Sequence, residues 1–260
     1  MRRFGFWVVA GGFLAVLVSG CLALPATEAP PLPAATPTPT ATATATEAWF
    51  PPTSTPTPLP PTPIPTPTPD LQAGVGQVLL SAPFARPAGW FSPHGAAGRF
   101  GVADGVLALT VTRPRGTLVV LQQQVTASNL YLSVEAEPQV CRSEDAYGVV
   151  VRATSGAGRY YRFGLTCQGE AFLESVEGGL PVPQVTPQPG GVPAGVPIRA
   201  VLSVRAAGKT LDFAVNGQVL FSVQDRLPLY GRGYFGFFAR AAGNEGVIVA
   251  FRNLTLRALP

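Results

Sequence analysis

From about Gln77 to the C-terminus the chain is a succession of short β-rich segments separated by turn residues, and nothing else in it constrains the fold as strongly. "GVLALTVT" (105–112), "NLYLSVEAE" (129–137), "YGVVVRA" (147–153), "RYYRFGLT" (159–166), "IRAVLSVRA" (198–206), "LDFAV" (211–215), "QVLFSV" (218–223), "YFGFFAR" (234–240) and "VIVAFRNLTLRA" (247–258) are rich in β-branched and aromatic residues. Several alternate with period two, as half-buried strands do. Ile198, Ala200, Leu202 and Val204 face one way, and Arg199, Ser203 and Arg205 the other. Asn216-Gly217 between two short strands is a two-residue hairpin signal. "TSGAG" (154–158) and "RAAGK" (205–209) suit two further hairpins, and no segment carries a helical period. The pattern predicts an all-β, two-sheet antiparallel sandwich.

The N-terminal part is different. Most of the 29 prolines precede residue 75. Residues 35–70 are a Thr/Pro repeat almost without charge, in which proline removes backbone donors and fixes φ, so neither helix nor sheet can propagate. Such a segment favours extended polyproline II and acts as a semi-rigid stalk, at about 3.1 Å per residue. Trp49 and Phe50 interrupt the repeat. Ahead of it, Arg2 and Arg3 precede an uncharged apolar run of about 15 residues. That is short of the roughly 20 residues of a membrane span and suits a signal-peptide core. The run ends in Val18-Ser19-Gly20-Cys21, which resembles the lipobox of bacterial lipoproteins. The resemblance implies cleavage before Cys21 and acylation of its thiol, with membrane lipid as the partner. Stable anchoring takes more than one acyl chain. The expected organisation is a lipoprotein signal peptide (1–20), a disordered Thr/Pro-rich linker (21–75) and a β-sandwich domain (76–260), extracytoplasmic and lipid-anchored to a bacterial membrane.

The motif order within the domain resembles the concanavalin A-like jelly-roll superfamily, and within it the laminin-G-like and 3-keto-disaccharide-hydrolase-like group. The carriers are Asp104-Gly105-Val106, "YGVVVR" (147–152), "FAVNG" (213–217) and "VAFRNL" (249–254). This fold hosts lectins, glycanases and structural modules alike. The resemblance therefore implies a jelly roll and leaves the activity to the side chains.

Those side chains exclude several chemistries. The formal charge is +4, from scattered arginines without a basic run, which argues against nucleic acid. Cys141 precedes one strand of a predicted hairpin and Cys167 ends the other, so a disulfide is expected that pins the loop "RSEDA" (142–146). In the chain-entropy model such a bridge is worth roughly 3.5 kcal/mol. The one histidine, His94, lies in a glycine-rich loop far from both cysteines, so no zinc site is expected. Glu144, Asp145 and Asp225 do not make a ligand-dense calcium loop. No metal or cofactor is expected. Glu135 and Glu137 share a strand face, but "EAEPQ" (135–139) lacks the further acids of the related glycanase motif, so they read as surface carboxylates.

A binding face is the better expectation. Arg152, Tyr160 and Arg162 are expected to share the face opposite the core, with Glu174 on the next strand beside them and Trp90 contributing from a loop. Aromatic rings stack on sugars, and arginine and carboxylate hydrogen-bond their hydroxyls. The loop 178–197, expected to lack secondary structure, would rim this face. The preferred reading is a membrane-anchored lipoprotein that binds a glycan or cell-surface polymer without catalysis. The alternatives are a hydrolase of the 3-keto-disaccharide-hydrolase-like type and a structural or protein-interaction module with a partner at the cell surface.

Overall fold

A computed structural model describes residues 70–81, 83–225 and 232–260. Cys21, Trp49, Phe50 and most of the Thr/Pro linker lie outside the described residues. No helix among the described residues is long and apolar enough to cross a membrane.

The strands in chain order are β1 (Trp90–Phe91), β2 (Gly98–Ala103), β3 (Val106–Val111), β4 (Thr117–Gln122), β5 (Leu130–Val140), β6 (Ala146–Ala153), β7 (Arg159–Thr166) and β8 (Glu170–Glu177). They continue as β9 (Leu180–Pro183), β10 (Gln188–Pro189), β11 (Ala200–Ala207), β12 (Thr210–Val215), β13 (Gln218–Gln224), β14 (Tyr234–Arg240) and β15 (Val247–Ala258). A 3-10 turn, Gly95–Ala97, follows His94, which is exposed. The strands form two antiparallel sheets. One has the order β1-β4-β14-β6-β7-β8-β10, with β9 also on β8; the other runs β13-β12-β11-β5-β15-β3-β2. The sequential neighbours in both sheets are hairpins whose turns have the expected chemistry. Asn216 and Gly217 sit at φ 49° and 81°, the left-handed pair that a two-residue hairpin requires.

The core lies between the sheets and follows the alternation. On β11, Ala200, Leu202, Val204 and Ala206 are all buried in it, while Ile198 falls just outside the strand. On β14 the inward set is Phe235, Phe237 and Ala239; on β7 it is Tyr161, Phe163 and Leu165. Leu71 packs with Tyr131, Ala214 and Leu259 in a satellite cluster on the second sheet, so ordered packing reaches back to the start of the described residues. Tyr147 is buried in the main core, and burial pushes its phenol up to about 12. The folded state therefore keeps a proton that the unfolded chain loses from pH 10. The stabilisation is intact below pH 10. Stability should fall by about 1.4 kcal/mol per unit as pH rises from 10 to 12. Denaturant melts at pH 9.5, 10.5 and 11.5 will read this slope, which Tyr147→Phe should flatten.

Two expectations need correction. Residues 178–197 are not structureless, because β9 and β10 pair with β8 through the backbone at Glu174↔Pro183 and Gln188↔Ala171. β9 reads Leu-Pro-Val-Pro at the sheet edge, and its prolines leave that edge short of donors for further pairing. The second correction concerns Arg152. A register slip between β6 and β14, from Gly236↔Val150 to Tyr234↔Ala153, inserts an extra residue, and Arg152 takes φ 55° there. The bulge interrupts the alternation, so Arg152 does not join Tyr160 and Arg162 on the outer face.

Cys141 and Cys167 are joined in a disulfide, Cα–Cα 5.8 Å, closing the β6–β7 hairpin as expected. The loop between Cys141 and β6 is held a second way. Asp145 accepts the Arg142 N–H through Oδ2 (2.9 Å) and the Ala242 N–H through Oδ1 (2.8 Å). Replacing both cysteines by serine should lower stability by roughly 3.5 kcal/mol, measurable by equilibrium urea unfolding with and without reductant. An unchanged midpoint would mean that the Asp145 contacts alone hold the loop.

Candidate functional site

The outer face of the eight-stranded sheet is built row by row from strand register. One row runs Phe238 (β14), Gly148 (β6), Gly164 (β7), Phe172 (β8). The two glycines leave room between the phenyl side chains, whose rings close over the gap with centroids 6.1 Å apart in a T-shape. A methyl on Gly164 would lie 2.7 Å from the Phe238 ring and 3.1 Å from that of Phe172. The next row runs Gly236, Val150, Arg162, Glu174, Pro183. The row beyond it places Tyr160 beside Val176.

Charged side chains lie over this aromatic floor. Arg162 donates through Nε to Glu174 Oε2 at 2.6 Å, and its Nη2 lies 2.6 Å from the same oxygen. The Arg162 guanidinium sits 5.5 Å from the Phe238 centroid, and that of Arg240 5.2 Å from Phe172. Arg240 reaches Glu174 Oε1 only at 3.9 Å. Burial lowers the Arg240 pKa first, and the neighbouring Arg162 charge lowers it further. Burial raises that of Tyr160, with Arg162 opposing. Exposure is graded across the group: Tyr160 and Arg162 are buried, whereas the Arg240 side chain keeps 25% of its surface and Glu174 14%. The solvent-facing polar edge of the group is therefore Glu174 and Arg240, backed by Tyr160 and Arg162.

The structure thus brings together three of the five expected residues, Tyr160, Arg162 and Glu174. It places the other two elsewhere. Arg152 is buried and pairs with Asp225 just after β13, and also donates to the Gly208 carbonyl in the β11–β12 turn. Tyr161 donates its hydroxyl to the same Asp225 at 2.7 Å. Arg152 is therefore a tie between the sheets. Trp90 is buried too, against Phe84, Phe235 and Phe237, and donates its indole N–H to the Pro83 carbonyl at 2.9 Å. Sequence reasoning missed Arg240, Phe172 and Phe238. Period two along "YFGFFAR" and "EAFLESVE" would have found them, since an inward Phe237 and Leu173 put all three outside.

The opposite sheet carries a different arrangement. Glu135 and Glu137 share its outer face, as expected, within an ion-pair ladder. Arg199 lies 3.5 Å from Glu135 and 3.2 Å from Glu137, Arg252 lies 3.1 Å from Glu137, and the Asn253 amide donates to Glu135 at 2.9 Å. Both carboxylates are engaged, which is what a surface cross-strand ladder does.

No family model matches the sequence, and no curated protein matches it. Solved structures do match the fold. A carbohydrate-binding module from Bacillus subtilis superposes with a TM-score of 0.54 at 15% identity, covering 65% of this chain and 96% of that one. The catalytic domain of an endo-1,3-beta-glucanase (laminarinase) from Thermotoga petrophila gives 0.51 at 11% identity, covering 70% and 98%. A functionally unknown protein from Saccharomyces cerevisiae gives 0.50 at 16%, covering 66% and 96%. At these identities the likeness establishes the jelly-roll sandwich.

Proposed function

We propose that this chain is a lipid-anchored, stalk-mounted sandwich that binds a glycan outside the cytoplasm without catalysis. The observation that carries the reading is the Arg162–Glu174 pair on the outer face of the eight-stranded sheet, with Arg240 and Tyr160 beside it. Forked guanidinium and carboxylate groups, fixed by strand register over an aromatic floor, present hydroxyl-directed donors and acceptors at little conformational cost. A carbohydrate-binding module and a glucanase domain among the structures of the same fold support the reading. The Cys141–Cys167 bridge supports an oxidising compartment. The lipobox at Val18–Cys21 and the Thr/Pro stalk supply the anchor and the reach.

A binding screen of the full chain against soluble and insoluble polysaccharides tests the ligand. Saturable binding that drops at least about tenfold in Arg162→Ala and Glu174→Ala, with no sugar released, is the expected result. Released product would favour the hydrolase, and binding untouched by both variants would move the site off this face. The anchor has its own test. Cys21→Ser should abolish partitioning into the detergent phase, and unchanged partitioning would remove the lipid from the reading.

A further inference from the structure

At one end of the face just described a guanidinium donor lacks an acceptor. Glu174 gives one oxygen to both nitrogens of Arg162, and its other oxygen stands 3.9 Å from Arg240. Arg240 Nε is buried and has no hydrogen-bond partner. The nearby acids do not supply one. Asp145 uses both carboxylate oxygens on backbone N–H groups, and Glu245 is taken by Arg142 at 2.5 Å. Glu144 is exposed and forms no ion pair among the described residues. A buried donor without an acceptor is costly, and a charged one more so.

Two further guanidinium groups lie round the end of the sheet. Arg240 ends β14 opposite Thr117 of β4. Thr117 also lines a cleft of about 450 Å³ between the 3-10 turn and the β3–β4 connection, which carries His94, Arg113 and Arg115 and no carboxylate. Arg113 and Arg115 are exposed and form no ion pair among the described residues. The unfilled Arg240 donor and the unpaired Arg113 and Arg115 guanidinium groups therefore flank Thr117.

We propose that the ligand is an acidic polysaccharide, with Arg240 receiving a carboxylate or sulfate group of one sugar and Arg113 and Arg115 that of a following one. The inference rests on the glycan reading above and adds the charge class. An anionic oxygen gives the exposed part of the Arg240 guanidinium a further acceptor and pairs the unpartnered Arg113 and Arg115, and a neutral hydroxyl could do only the first. Bidentate arginine–oxyanion pairing also gives the polymer a fixed register along the end of the sheet.

Affinity gel electrophoresis or calorimetry with the full chain tests this on matched pairs: polygalacturonate against its methyl ester, and dextran sulfate against dextran. The methyl ester keeps the backbone and removes the charge. Binding to at least one acidic member, about tenfold or more tighter than to its neutral partner, is expected, and which pair shows it separates carboxylate from sulfate. Arg240→Gln, and separately the surface pair Arg113→Gln with Arg115→Gln, should each weaken that binding severalfold. Arg99→Gln removes an equal charge from exposed β2 and should change it less than about twofold. Equal loss in Arg99→Gln would mean that net charge alone is being read, and would overturn the proposal. Equal or tighter binding of the neutral partners would overturn it while leaving the glycan reading in place, and no binding to any polysaccharide would overturn both.

Discussion

Arg152→Ala should be among the most destabilising single changes in this domain, costing about 4 kcal/mol. The guanidinium is 2% exposed and its partner carboxylate, Asp225, 0%. The pair joins a bulge in the eight-stranded sheet to the end of β13 in the other sheet, with the Gly208 carbonyl and the Tyr161 hydroxyl in the same network. Removing the arginine takes away the cation and leaves a buried carboxylate behind it, which is where the large cost arises. The pair itself contributes much less than that, because desolvating two charges offsets most of their attraction. Two outcomes follow for urea unfolding. The single variant should lose about 4 kcal/mol, and Arg152→Met combined with Asp225→Leu should recover a substantial part of it. If the double variant is as unstable as the single, the network is needed for the bulge geometry and the charge argument fails. A loss below about 1 kcal/mol in Arg152→Ala would instead place the pair in water.

How this arginine was misplaced by sequence shows where sequence reading stops. Alternation from Val149 and Val151 puts position 152 outward, and only the register slip against β14 turns it in. A slip of one residue leaves no mark in composition. Where the ladder is regular, parity sufficed: Tyr160, Arg162 and Glu174 came together because β7 and β8 pair without a break. β7, β14 and β15 begin and end where their alternation does. β4 was not anticipated, since "TLVVLQ" is buried on both faces between β1 and β14 and so lacks alternation. β9 and β10 were hidden for the opposite reason. Their pairing is made by the backbone of a proline-rich segment whose side chains carry no strand signal. The disulfide was legible from its place at the mouth of one hairpin. The neighbourhood of Arg240 with Arg113 and Arg115 was not, because the three are linked only through Thr117 of β4.

Trp90→Ala carries the second large expected effect, also about 4 kcal/mol, and it separates packing from recognition. Tryptophan in a fold that hosts glycan binders among many other functions invites assignment to a ligand. Here the ring is 6% exposed and wedged between Phe84 (5.5 Å), Phe237 (5.6 Å) and Phe235 (6.0 Å), and Phe237 in turn stacks on Phe251 of the opposite sheet at 4.5 Å. The indole thus closes one edge of the sandwich, and its N–H bond to Pro83 fixes the segment before β1 over that edge. Alanine would leave a large cavity against three aromatic rings and strand the Pro83 carbonyl. β1 is only two residues long, so it cannot hold the edge by its ladder alone. The variant should unfold at markedly lower urea, yet any polysaccharide that the unaltered chain binds should be bound with unchanged affinity per folded molecule. Trp90→Phe, which keeps most of the apolar volume, should regain more than half of the lost stability. A Trp90→Phe domain that is stable but no longer binds would put the indole in contact with the ligand and the edge-packing assignment would fall.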